Sequence, residues 1–121
     1  MKLLDTTVAI DDLRGEEAAV DLLKRLIGAE ETILASALRA PRRGAGRRAR
    51  ALEEFPSALT WVHDEVVSRT AGLLARKHRA TYSGIDDVDY LIAATALALD
   101  AELLTTNLRH FPMLPGLRPP Y

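Results

Sequence analysis

The chain has 121 residues, enough for one domain around one core, and its 48% hydrophobic and 27% charged content is that of a globular protein rather than a disordered one. With no cysteine, disulfides and thiolate metal sites are excluded. The formal net charge of −1 names no partner, no apolar run reaches the length of a membrane helix, and Lys2 and Asp5 charge the N-terminus too early for a secretory signal, so a cytoplasmic location is expected.

Lys2 to Asp5 is a short apolar run closed by an acid, and Thr6-Thr7 then caps a predicted helix from Val8 to Leu13. An Asp at the C-terminal end of a strand stands where open α/β sheets bind their ligands. The plainer alternative is that Asp5 only caps the turn. Glu16 to Ile27 reads as an amphipathic helix, with Ala19, Leu22, Leu23, Leu26 and Ile27 at core spacing and Gly28 as its stop. Thr32 to Ser36 reads as a second buried strand. Strand, helices and strand in that order imply a parallel sheet with a crossover.

From Leu38 to Ala51 the chain carries Arg39, Arg42, Arg43, Arg47, Arg48 and Arg50, with Pro41, Gly44 and Gly46 opposing a continuous helix. This basic stretch suits a phosphate backbone or an acidic partner protein, and a solvated loop has the same composition. Ala58 to Val62 reads as a third strand. Asp64 caps a helix with Val67, Thr70, Ala71, Leu74 and His78 at core spacing. His63 and His78 lack metal-type spacing and are read as structural.

Gly84 breaks the chain before a helix with Asp86 or Asp87 as N-cap and Ile92, Ala93, Ala96 and Leu97 on its buried face. Asp86, Asp87 and Asp89 crowd its first turn. Complementing the helix dipole accounts for one or two acids there. Asp86 and Asp89 share a face, where like charges repel, and Asp89 also lies on the apolar side. A buried carboxylate beside another needs a proton, a cation or a dense set of hydrogen bonds. The helix ends near Asp100. Glu102 to Thr105 is a fourth predicted strand, Thr106-Asn107 follows it, and Leu108 to Phe111 forms a helical turn. The tail from Pro112 onward excludes a long helix, and Gly116 to Arg118 is a candidate edge strand. Without repeats or linkers, residues 1–121 read as a single domain.

Asp5, Asn107 and the Asp86–Asp89 cluster each fall at a strand-to-helix junction or in a helix's first turn, and a parallel sheet gathers such points on one rim. Carboxylates there suit a hard divalent cation, which in turn suits phosphodiester chemistry.

The stretches Leu3-Leu4-Asp5-Thr6-Thr7-Val8, Asp89-Tyr90-Leu91-Ile92-Ala93-Ala94-Thr95-Ala96 and Leu104-Thr105-Thr106-Asn107-Leu108-Arg109-His110-Phe111 together resemble the PIN domain, and within it the VapC-type toxins of bacterial toxin–antitoxin pairs. The resemblance implies a PIN-like three-layer α/β fold with a small central parallel sheet flanked by helices. It also implies a Mg²⁺- or Mn²⁺-dependent ribonuclease, a homodimer, and a VapB-type antitoxin that blocks the site. Carried onto this chain, it makes Asp5, Asp89 and Asn107 the catalytic set, with Asp5, Asp89 and the accessory Asp86 holding the metal. Thr6, the hydroxyl after the first acid, joins Arg42, Arg43, Arg47 and Arg48 as candidates for contacting RNA or a partner.

One element of the pattern is missing. Such proteins carry Ser-x-x-x-x-x-Glu-Leu-x-x-Gly after the second strand. Counted from Ser36, the Glu position holds Arg42, with Gly46 in the glycine place, and a shift of one residue gives Pro41. The expectation is therefore a ribonuclease toxin with an incomplete acidic site. The alternative is a weak or inactive PIN protein that binds antitoxin or nucleic acid. A phosphate-binding α/β module that is no nuclease fits the arginines but leaves the carboxylates unexplained.

Overall fold

Three short parallel strands carry the architecture in a computed structural model that describes residues 1–35 and 65–121. They are β1 (Lys2–Leu4), β2 (Ile33–Ala35) and β3 (Glu102–Leu104), in the order β2-β1-β3, so the first strand in sequence is the middle one in space. Leu3 pairs with Leu34 on one side and Leu103 on the other, while Leu4 pairs with Leu104. Successive strand residues face opposite ways, which sorts the apolar side chains into two cores. Leu3, Leu34 and Leu103 belong to one cluster; Leu4, Ile33 and Leu104 belong to the other.

Each core is covered by a helix pair. The Leu4 side packs against α1 (Thr6–Leu13) through Val8 and Ala9, and against α2 (Glu17–Gly28) through Leu22 and Leu23. The Leu3 side packs against α3 (Glu65–His78) through Val67 and Ala71, and against α4 (Asp87–Ala98) through Tyr90, Ile92, Ala93, Ala94 and Ala96. Phe111 and Met113, beyond β3, close that core. Helices, sheet and helices make the three layers expected of the sequence, and none of the described helices is long and apolar enough to cross a membrane.

The differences from sequence expectation lie mostly at element ends. Gly28 is the last residue of α2 rather than its stop; Ala29 caps the helix and Glu30 takes the left-handed turn at φ 53°. Ile27 and Leu97, placed on core faces by spacing, are 65% and 49% exposed. Both lie at helix ends, beyond the reach of the three-residue strands. Gly116 to Arg118 forms no strand, and Gly116 turns the chain at φ 77°. The tail instead returns to α1, where the Tyr121 hydroxyl donates to Asp11 Oδ2 at 2.7 Å; burial, and then this bond, raise the Tyr121 phenol above its ordinary pKa. The ring of His78 lies 6.0 Å from that of Tyr82. The third predicted strand, Asp64, His63 and the arginine-rich stretch lie outside the described residues.

Tyr90 is fully buried, with the Arg79 guanidinium 5.8 Å from its ring centre, yet among the described residues its hydroxyl has no hydrogen-bond partner. An unpaired buried hydroxyl costs about 1–3 kcal/mol. Tyr90→Phe should therefore raise stability by about 1 kcal/mol in urea unfolding. A destabilised variant would mean that the hydroxyl is satisfied in solution.

Candidate active site

Asp5 ends β1, where the ladder gives way to a helix. Its N–H still donates to the Leu104 carbonyl at 3.0 Å, while its own carbonyl accepts from Val8 N–H at 3.2 Å and so starts α1. It occupies the N-cap position, but its carboxylate makes no capping hydrogen bond, so the plain capping explanation fails. Thr6 and Thr7, expected to cap, are the first helical residues, and their hydroxyls turn back to the acid instead.

The carboxylate is 1% exposed and its described partners are hydroxyls. Thr105 Oγ1 donates to Oδ2 at 2.6 Å, Thr7 Oγ1 to the same oxygen at 3.1 Å, and Thr6 Oγ1 to Oδ1 at a long 3.4 Å. Thr7 in turn accepts from Thr106 N–H at 3.3 Å, and Thr105 from Asn107 N–H at 3.0 Å. Among the described residues no cation offsets this charge. Hydroxyl dipoles alone compensate a buried carboxylate incompletely.

Asp89 is the second buried acid, also 1% exposed. The repulsion expected between it and Asp86 is answered by a reciprocal cap. Asp86, the N-cap of α4, accepts from Asp89 N–H through Oδ1 at 2.9 Å, and Asp89 Oδ2 accepts from Asp86 N–H at 3.3 Å. Each carboxylate thus meets a donor of the other residue's backbone at a positive helix end. Asp89 Oδ2 also lies 2.8 Å from His110 Nδ1.

One short segment touches both acids. Thr105 holds Asp5, His110 meets Asp89, and His110 N–H donates to the Asn107 carbonyl between them at 3.1 Å. Of the residues expected from sequence, Asp5 and Thr6 meet directly, Asp86 and Asp89 meet directly, and Asn107 contributes through its backbone, since its side chain caps nothing. Arg42, Arg43, Arg47 and Arg48 lie outside the described residues. Sequence reasoning missed Thr7, Thr105 and His110. The Thr-Thr pair after each of two strands was the available signal for the first two, and nothing local marked the third.

Carboxylate oxygens are the donors that a hard divalent cation takes, and Mg²⁺ is commonly held by one or two carboxylates with water completing its shell. Asp5, buried without a counter-charge among the described residues, fits such an ion. A closed cage does not arise, since no three Asp, Glu or His side chains are grouped to hold a metal among the described residues.

Known proteins resemble this chain in sequence and in fold. The family model described as PIN domain matches residues 2–115. Ribonuclease VapC19 of Mycobacterium tuberculosis (strain ATCC 25618 / H37Rv) is 56% identical over 125 residues, covering 100% of both chains. Ribonuclease VapC10 of the same strain is 35% identical over 137 residues, covering 100% of this chain and 93% of the relative. A toxin–antitoxin complex from Klebsiella pneumoniae contains a chain that superposes with a TM-score of 0.76 at 20% identity, covering 100% of this chain and 98% of the other. VapBC2 from Rickettsia felis, bound to a DNA fragment from their promoter, gives 0.74 at 21% identity, with 97% and 96% covered. At such identities the structural matches speak for the fold.

The Thr105–Asp5 bond is buried and charge-assisted, so it is among the stronger single contacts of the fold. Thr105→Val keeps the shape and removes the donor, and it should cost about 2–3 kcal/mol in chemical denaturation. Thr105→Ser keeps the donor and should cost much less. Equal stability of the Val and Ser variants would show that packing, not the hydroxyl, matters at this position.

Proposed function

The chain belongs to the PIN-domain family, and on that premise we propose that it is a metal-dependent ribonuclease toxin, acting in the cytoplasm as one domain and restrained by a VapB-type antitoxin. The observation that carries this reading is the pair of buried acids, Asp5 and Asp89, tied to one segment of the chain. The identity to ribonucleases VapC19 and VapC10 over their full or nearly full lengths supports the activity. The structural likeness to toxin–antitoxin complexes supports the restraint.

In this reading Asp5 and Asp89 hold a Mg²⁺ or Mn²⁺ ion at the C-terminal rim of the sheet, with Asp86 as an accessory acid and the Asn107 amide within the same segment. The ion supplies activation of water and neutralisation of charge in the transition state. Thr105, Thr7 and Thr6 keep Asp5 from turning away. Arg42, Arg43, Arg47 and Arg48 bind the phosphates of RNA or an acidic part of the antitoxin.

Arg42 at the position of the family's Glu removes negative charge from the site, so metal binding and cleavage should both be weak. Asp89→Asn should lower Mn²⁺ affinity by at least about tenfold in calorimetry, and Asp5→Ala should abolish the remaining RNA cleavage. Arg42→Glu should raise activity. Cleavage that persists in EDTA or survives Asp5→Ala would overturn the mechanism. Mn²⁺ binding without any cleavage would favour the alternative, an inactive protein that still binds antitoxin or RNA.

The arginines have a separate test. Replacing Arg42, Arg43, Arg47 and Arg48 with Ser should flatten the salt dependence of RNA affinity, by about 0.7 in log–log slope for each phosphate no longer neutralised. An unchanged slope with a weakened antitoxin complex would assign them to the protein partner.

A further inference from the structure

His110 lies where no sequence pattern placed a functional group, and three features fix it there. It ends the single-turn 3-10 helix Leu108–His110, whose Asn107 carbonyl accepts its N–H at 3.1 Å. The next residue, Phe111, is buried in the core and donates its N–H to the Leu108 carbonyl at 3.0 Å; Met113 is buried just beyond. The backbone beneath the ring is therefore anchored from both sides. The His110 side chain is 33% exposed, while the carboxylate it meets is 1% exposed, so the ring reaches a buried acid from a partly open position.

We infer that His110 is a positioning residue for Asp89: its Nδ1–H, 2.8 Å from Oδ2, orients the carboxylate at the rim. With Asp89 ionised, as holding a cation requires, its carboxylate only accepts, and the contact then needs its proton on Nδ1. The Asp86 N–H approaches the same oxygen at 3.3 Å. Two donors from different parts of the chain thus meet Oδ2, and both restrain the direction of the group. Donors of this kind behind a ligating carboxylate tune the affinity of a metal site. The inference rests on the proposed role of Asp89 in holding a cation.

The test separates the two ring nitrogens. An Asn side chain places its N–H₂ where histidine has Nδ1, and Gln places it near Nε2. Side-chain ¹⁵N NMR of the metal-free protein should show the proton of His110 on Nδ1, and a ring protonated only on Nε2 would overturn the inference. Mn²⁺ affinity should fall about 10- to 100-fold in His110→Ala and His110→Gln and stay within about threefold of the parent in His110→Asn. If Gln retains affinity and Asn loses it, His110 acts through Nε2 and the inference is wrong. It is also wrong if all three variants bind alike. A parent protein that binds no Mn²⁺ would overturn the cation site of the proposed function, and the NMR signal would still decide whether His110 orients Asp89.

Discussion

A negative charge buried at the end of the middle strand is the constraint on which the rest of this structure depends. Asp5 has no cation beside it among the described residues, so the surrounding chain must supply polar atoms. It does so from two directions. The first turn of α1 supplies Thr6 and Thr7, and the residue after β3 supplies Thr105. Neither source is optional if the acid is to stay ionised in an apolar setting. The requirement ties the ends of two neighbouring strands together beyond the backbone ladder. It also explains why both are followed by a Thr-containing turn rather than by glycine.

At α4 the same difficulty has another solution. Two acids three residues apart would repel on an ordinary helix surface, but here each accepts a backbone N–H of the other at the positive end of the helix. The middle of α4, from Tyr90 to Ala96, is largely buried, packed on α3 and the sheet through alanines, Ile92 and Tyr90. Small side chains let that helix lie close, and the rigidity this gives sets the height of Asp89 at the rim. Packing and polar placement are thus one problem: a looser α4 would leave the carboxylate in water.

Much of this was legible in the sequence because the decisive signals were local. An acid after an apolar run marked Asp5, and an acid on the apolar side of a helix marked Asp89. The parallel order followed from the alternation of strand and helix. What the sequence hid was tertiary. Thr105 and Asp5 are separated by 100 positions and His110 and Asp89 by 21, so no spacing rule links them. Helical periodicity put Ile27 and Leu97 on core faces, where the structure leaves them exposed, because spacing along a helix does not say how far the short strands reach. Gly28 looked like a helix stop because glycine favours that place, whereas Glu30 takes the left-handed conformation instead. The expectation that Arg42 stands in the place of the family's Glu concerns a stretch that lies outside the described residues.

The strand order has a consequence for how such a protein is made. Its N-terminal strand is the middle one, and one neighbour, β3, comes about a hundred residues later. During synthesis Asp5 leaves the ribosome early, and Thr105 follows 100 residues later. Contacts of such long range form late, after the entropy of closing a large loop has been overcome. A nascent chain therefore carries both acids and their local partners before it carries the distant ones, Thr105 and His110. The contacts that Thr105 and His110 make with the two acids therefore form only once β3 and the turn after it have been made.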